Sequence, residues 1–435
     1  MMEEMALKAL KEAQRYTDQA EIYLEKEQIM QIEFQKDNLD FAKEESNLGM
    51  GIRVILDGKM GFFYTSNMDE IKNAVKRAVF NSKANQKDEN FSLAYPSNYK
   101  KVKDIHDPDF DTMEIQEPLL FARTMIDTVK EENCQPTSGG FSSGKSQILI
   151  MNSNDVEGIE LSTGFAGYVA VNVEKNGEKS TAYESESSRF FDINPEEIAK
   201  NACKIAKDSI GGVEVKTQDM EVVLDYHAAA GLLGTFLNAV NADNVLRGRS
   251  ILADKVNQKI ASSQLNIYDD GTVRGGMNSS SFDGEGTATA KTPLIEEGIL
   301  KGFIYDLYNA QKGHTKSTGN GMRSNFNETP SVSPTNIIMD FKEDINISQL
   351  DDAILVSDVL GAHTANPISG DFSVEANNAF IIQNGEIAHP VKKSMLSGNI
   401  FDSLKKMYAL ESKIKQFGPF ILPKILIQEL RVVGD

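Results

Sequence analysis

A chain of 435 residues has room for two or three domains of ordinary size, and 40% hydrophobic residues suffice for normal buried cores. No run of 18 apolar residues occurs, so no transmembrane helix is expected. The formal net charge of −19, with no basic run, argues against nucleic acid, whose binding draws its energy from Lys and Arg neutralising phosphates; charge of this sign keeps a large protein soluble.

The start, Met1-Met2-Glu3-Glu4, lacks the basic segment and apolar run of a signal peptide. The two cysteines, Cys134 and Cys203, exclude a disulfide framework and fit a reducing compartment, so a cytoplasmic protein is expected. Ala6, Ala9, Leu10 and Ala13 recur at helical spacing. Met30, Ile32 and Phe34 then alternate with Gln31, Glu33 and Gln35, the pattern of a half-buried strand. Asp57-Gly58, between Arg53-Val54-Ile55-Leu56 and Phe62-Phe63-Tyr64, predicts a hairpin, because the tight turn needs positive φ. Asn67 stands three residues before Glu70, like a capping box, ahead of a helix with Ile71, Ala74, Val75, Ala78 and Val79 on one face. Residues 81–104 turn polar around Pro96 and read as a linker or long surface loop.

A helix is expected over 118–131, with Leu119, Ala122, Ile126 and Val129 on one side. Strands follow at 147–151 and 165–173, and Asn176-Gly177 predicts a second hairpin. Asn194-Pro195-Glu196-Glu197 combines a cap residue, Pro at the first helical position and early acidic residues, and opens a helix carrying Ile198, Ala202, Ile205 and Ala206. Beyond Met220 strands and turns dominate. A strand is expected over 221–225. The helix over 228–240 has only Thr235 and Asn238 as polar residues and is expected to be buried on several sides. Hairpins turn at Glu297-Gly298 and Asn384-Gly385, with strands at 336–341 and 379–383 in an antiparallel sheet. A short helix near 400–408 precedes a last strand over 425–433. The fold class is α+β: N-terminal α/β regions with a curved sheet and helices, then a larger strand-rich antiparallel C-terminal domain. The domains divide as 1–105, 106–217 and 218–435.

Chemistry is sparse. His106, His227, His314, His363 and His389 include no two within three to five residues, and no Cys-x-x-Cys pair exists, so local zinc-site spacing is absent. Gly284-Glu285-Gly286 and Gly319-Asn320-Gly321 read first as turn residues, second as a loop admitting a substrate backbone. Residues 361–371 form the densest polar cluster. Ser, His and Asp all occur there, but no nucleophile elbow accompanies them, and a loop shaping a cleft fits better than a triad. The candidate cleft residues are Gly319, Asn320, Gly321, His363, Thr364, Asn366, Ser369 and Asp371.

The run GAHTANPISGDFS over 361–373 resembles a signature of the TldD/PmbA metallopeptidase family, PmbA (TldE) branch. So do Asn384-Gly385-Glu386-Ile387, Pro390-Val391-Lys392 and Ser397-Gly398-Asn399. Upstream, Gly231-Leu232-Leu233-Gly234 with Asn244-Val245 and Ser250, and residues 316–321 (KSTGNG), are similar to the same branch; residues 49–54 with Gly61-Phe62 match more loosely. The resemblance implies a peptidase of two related chains. A TldD-like chain carries His-Glu-x-x-x-His on a helix and a late cysteine and holds zinc; its partner lacks them; together they cleave unfolded peptides or peptide leaders in an enclosed cavity. Aligned on Leu232-Leu233, this chain has Gly234 and Ala239 at the two His positions and Thr235 at the Glu position, and Phe417-Gly418-Pro419-Phe420 where the cysteine falls. A shifted register starting at His227 meets Ala228 and Leu232 instead. The chain is therefore expected to lack a metal site and cofactor of its own and to pair with a zinc-bearing TldD-like chain. The alternatives are a self-sufficient hydrolase around His363, Ser369 and Asp371, or a homodimer that holds peptides without cutting them. Direct action on DNA is opposed by the acidic charge.

Overall fold

The computed structural model describes residues 1–434. The first half runs α1 (Met2–Ala13), β1 (Gln19–Gln35), β2 (Asn38–Leu56), β3 (Lys59–Thr65), α2 (Ile71–Ala84), α3 (Gln116–Glu131), β4 (Gln135–Asn152), β5 (Glu157–Lys175), β6 (Glu178–Ser188) and α4 (Pro195–Asp208). Its six strands form one antiparallel sheet in the order β3-β2-β1-β4-β5-β6, so residues on both sides of the polar stretch at 81–104 share a sheet. In β1 the even positions Ile22, Leu24, Ile32 and Phe34 are buried on one face. There α1 and α2 cover one end of the sheet and α3 and α4 the other, giving two adjoining apolar cores.

The second half runs β7 (Gln218–Leu224), α5 (Tyr226–Val240), α6 (Ala242–Leu246), β8 (Leu265–Asp270), β9 (Lys291–Glu296), β10 (Ile299–Leu300), α7 (Leu307–Lys312), β11 (Gly321–Met322), β12 (Ser331–Val332), β13 (Ile337–Phe341), β14 (Asp344–Ile345), β15 (Ala353–Leu360), β16 (Asp371–Gln383), β17 (Glu386–Pro390), β18 (Ser394–Asn399), α8 (Ile400–Ser403), β19 (Met407–Phe417) and β20 (Phe420–Val433). Strands β20, β18, β16, β15 and β7 pair in turn, and β7 pairs back with β20, closing a ring. Helix α5 packs its apolar side into the core of this ring. The architecture is α+β with a larger strand-rich C-terminal part. Its sheet is mixed rather than purely antiparallel: β7 with β15 and β13 with β20 run parallel. Among the described residues no helix is long and apolar enough to cross a membrane.

All four turn dipeptides form hairpins with positive φ at both residues: Asp57-Gly58 (53° and 74°), Asn176-Gly177 (53° and 82°), Glu297-Gly298 (50° and 77°) and Asn384-Gly385 (51° and 79°). That is the signature of the turn whose twist matches the flanking strands. Asn194 caps α4 by accepting from the N–H groups of Glu196 and Glu197. Asn67 instead accepts from Asp69 N–H and caps a 3-10 turn that leads into α2. Three expectations need correction. Residues 147–151 and 165–173 are only parts of β4 and β5, whose Gly- and Ser-rich stretches are held in strand by pairing on both sides. The stretch 81–104 is no free linker: its first residues finish α2, Tyr99 donates to Gly286 O at 2.7 Å and Asn152 donates to Ala94 O at 2.9 Å, strapping the segment to both halves. The helix near 400 ends early, because Met407 enters β19 opposite Ile427.

Candidate functional site

Asp225 ends β7 and caps α5 by accepting from Tyr226 N–H. The helix buries Ala228, Ala229, Leu232, Leu233, Phe236, Ala239 and Val240. Its remaining face carries His227, Gly231, Gly234, Leu237 and Asn238 at spacings of four, three, three and one, a single stripe on a 3.6-residue helix. No neighbouring atom lies within 4 Å of where a side chain on Gly234 would begin, so the middle of the stripe is bare. The β19–β20 turn, Phe417-Gly418-Pro419-Phe420, lies beside its start, with the Phe417 ring centroid 4.2 Å from that of His227. Gln416 anchors the turn by donating to Asn336 Oδ1 at 3.0 Å and accepting from Met277 N–H at 3.1 Å.

Two cavities open at the ends of this stripe. One of about 440 Å³ lies at the start of α5, between α4 and edge strand β6 on one side and β19 on the other. His227 Nε2 there meets Glu184 Oε1 at 3.2 Å. Burial alone would raise the Glu184 carboxyl, but the hydrogen bond and charge of His227, with Lys415, bring it below the ordinary carboxylate range. The other cavity, about 690 Å³, is reached by Leu237 and Pro419 and lies between the six-stranded sheet and the C-terminal half, with Arg189, Arg323 and several serines in its wall.

A buried ion network seats the two halves on each other beside this second cavity. Arg53 donates to Glu21 at 2.6 and 3.0 Å and to Glu285 at 3.1 Å, and Arg323 also pairs with Glu21. All four charges are almost inaccessible, and mutual pairing is what makes their burial tolerable. Gly319, Asn320 and Gly321 belong to the same region. Asn320 is fully buried; it donates to Asp269 Oδ2 at 2.8 Å and to Ser333 O at 3.0 Å, and Gly321 N–H donates to Asp283 Oδ2 at 2.9 Å. Burial pushes Asp269 up to about 6 against the hydrogen bonds of Asn320 and Thr335. Thus Asn320 braces the wall from behind, and Met322 and Arg323 after it face the cavity.

The loop at 361–371 sits elsewhere, exposed, and reaches α5 through Ala362, whose Cβ lies 3.6 Å from where a side chain on Gly231 would begin. Ser369 Oγ donates to Asp371 Oδ2 at 2.7 Å, and Asn399 donates to Ser369 O and Asp371 Oδ1, each at 2.8 Å. The Asn399 and Ser369 hydrogen bonds hold the Asp371 carboxyl below its usual range. Asn366 accepts from Ile368 N–H and Ser369 N–H, and Thr364 donates to Gly361 O. His363 is exposed and hydrogen-bonds to neither Ser369 nor Asp371, so the three are not linked as a Ser-His-Asp relay. Sequence reading missed Glu21, Arg53, Glu184 and Arg323. The signal available was a charged residue inside an apolar strand run, as in Gly51-Ile52-Arg53-Val54-Ile55.

Three segments match the PmbA/TldA metallopeptidase family: its domain 1 over residues 20–82, its central domain over 108–210 and its C-terminal domain over 217–434. The chain belongs to the TldD/PmbA metallopeptidase family. An uncharacterized protein of Methanocaldococcus jannaschii is 35% identical over 427 residues, covering 97% of this chain and 98% of that one. A metalloprotease TldD homolog of Buchnera aphidicola is 28% identical over 85% of this chain and 80% of its own length. The fold is shared with TldE from Thermococcus kodakarensis, at a TM-score of 0.92 and 23% identity over 99% of this chain and all of that one.

At the positions that the resemblance sets against the zinc motif, the residues present do not suit zinc. Gly234 offers no donor, Thr235 and Ala239 are buried in the core of the helix packing, and the turn at 417–420 has no thiol. Among the described residues no group of three or more His, Cys, Asp or Glu side chains is placed to hold a metal ion.

Proposed function

We propose that this chain is a PmbA (TldE)-type subunit that completes the peptide-binding cavity of a cytosolic metallopeptidase whose zinc is carried by a TldD-like partner. The observation that carries the reading is the open stripe of α5. A family-like helix is retained in a family-like fold, yet the middle of its least covered face is bare at Gly234, flanked by Gly231 and Leu237. Zinc hydrolysis requires about three protein ligands and a base to ready the water, which glycine and leucine cannot supply. A fold kept without the chemistry is most simply explained by a role beside a chain that has it.

The substrate class in this reading is an unfolded peptide or peptide leader. An extended chain fits an inter-domain cleft bordered by an edge strand, here β6, with Tyr183 and Ser185 in the cavity wall. Asn320 and Gly321 would stiffen the wall of the second cavity, at Met322 and Arg323, and the loop bearing His363, Thr364, Asn366, Ser369 and Asp371 would shape a rim or a subunit contact. The partner surface should bury on the order of 1,200 Å² or more in total, as stable complexes do.

Co-purification with a TldD-like chain from the same source, followed by cleavage assays of each chain alone and of both together, with and without chelator, tests this. Activity that needs both chains and is lost with chelator is the expected result. Full activity from the partner alone, with no association, overturns it. Stoichiometric zinc in the isolated chain, removed by substituting its histidines, overturns it as well.

A further inference from the structure

The fold brings together the only two cysteines in the chain, which are 69 residues apart and share no sequence motif. Cys134 stands in the three-residue break between α3 and β4, with its N–H bonded to Val129 O at 3.0 Å. Cys203 points inward from the middle of α4, one of the helix's buried positions. Both are free, buried thiols, and Cys134 Sγ donates to Cys203 O at 4.0 Å. The same two elements are joined at the surface by Lys207 and Glu132 at 2.5 Å.

We propose that Cys134 and Cys203 are a dithiol that closes reversibly to an intramolecular disulfide, locking α4 onto the α3–β4 junction. Disulfide formation needs two cysteines on elements whose backbones need not move far, and a Cys134 Sγ already in contact with the backbone of Cys203 meets that condition. The lock has a consequence at the site. The other face of α4 supplies Asn201, Lys204, Ile205 and Asp208 to the wall of the cavity beside His227. Closing the bond fixes that wall from behind, and it closes a long loop, which restricts the unfolded chain more than a short loop would.

The chemistry balances with a peroxide as oxidant. The Cys134 sulfur attacks one peroxide oxygen, the O–O bond breaks, and a sulfenic acid and one water result. The Cys203 sulfur then attacks the sulfenic sulfur, the S–O bond breaks, its thiol proton leaves with the hydroxide as a second water, and the S–S bond forms. Two thiols have lost two electrons and two protons to one peroxide. Burial and the neighbouring Cys134 hold the Cys203 thiol well above its ordinary range, while Lys207 beside both sulfurs opposes this. Cys203 is fully buried and Cys134 is 5% exposed, so Cys134 is the sulfur that peroxide reaches first, and closure is slow compared with that of an exposed thiol.

The full-length chain is incubated folded with hydrogen peroxide, then denatured, alkylated and weighed intact. The expected product has lost two hydrogens, takes up no alkyl group, yields a Cys134–Cys203 cross-linked peptide on non-reducing digestion and reverts with dithiothreitol. Its melting temperature should rise by about 5 °C. The Cys203→Ser chain should show no such rise and should trap a singly oxidised Cys134. If that variant does not fold, the oxidised and reduced wild-type chain carries the same comparison. Two thiols still alkylated after peroxide, sulfinic or sulfonic products without the cross-link, a bond between chains instead of within one, or a cross-linked chain that melts no higher each overturn the proposal.

Discussion

On the helical face of the six-stranded sheet, β1 presents Ile22, Leu24, Ile32 and Phe34 to four helices; on the other face the same strand presents Glu21, Tyr23, Glu25 and Glu27 toward the C-terminal half. Alternation with period two puts these sets back to back. The helical face is held by burial, which is roughly proportional to apolar area and largely indifferent to pH. The other face is held by specific partners, with Arg53 and Arg323 on Glu21 and Phe326 N–H on Glu25 at 2.9 Å. The lesson is that the sheet's stability and its docking geometry are separable. The first resides in side chains that any close packing would satisfy, the second in charges that only one docking satisfies.

The largest effect should follow from breaking the charged face. Arg53→Met leaves Glu285 and part of Glu21 buried without a cation and should cost about 3–5 kcal/mol in denaturant titration. Leu24→Ala, on the helical face, should cost about 2–4 kcal/mol through its cavity while leaving the pH dependence of stability unchanged. An Arg53→Met chain as stable as the wild type would show that the network contributes nothing.

A smaller effect sharpens the contrast through pH. Burial, with Glu27 beside it, pushes the Glu25 carboxyl up to about 7. A carboxyl whose folded value lies above its unfolded one binds its proton more tightly when folded. The stability it adds is whole below the ordinary glutamate range and is lost as pH rises toward 7. Asp269, at about 6, acts in the same direction over a lower window; Glu184, held low, acts in the opposite one and weakens the fold on acidification. Glu25→Gln should therefore remove roughly 1–3 kcal/mol of the decline between pH 5 and 8, read from urea midpoints at the two pH values. An unchanged slope would place the titration elsewhere.

The smallest effect belongs to the loop outside the comparison. Ser369→Ala removes one exposed hydrogen bond to Asp371 and should cost about 1 kcal/mol or less. In a reconstituted peptidase it should lower activity only modestly. Complete loss of hydrolysis with assembly intact would favour a serine nucleophile instead.

Much of the local structure was legible in the sequence. The four turn dipeptides, the Asn194 cap and the helix over 228–240 rest on positive φ, on orphan N–H groups and on a nearly unbroken apolar stretch, all effects acting within a few residues. The helix expected near 400–408 overlaps the start of β19 at Met407 and Tyr408, because only their pairing with β20 marks them as strand. Asn320 looked like a flexible turn residue, yet it is fully buried, because Asp269 and Ser333, 51 and 13 residues away, take its donors. Only the tertiary structure decided that Glu21 meets Arg53 and Arg323, that Arg53 also meets Glu285, that His227 meets Glu184, and that Cys134 reaches Cys203. Such contacts join residues up to 302 positions apart. Backbone sterics and periodicity carry no information at that range; the docking of whole surfaces chooses which charges are buried together.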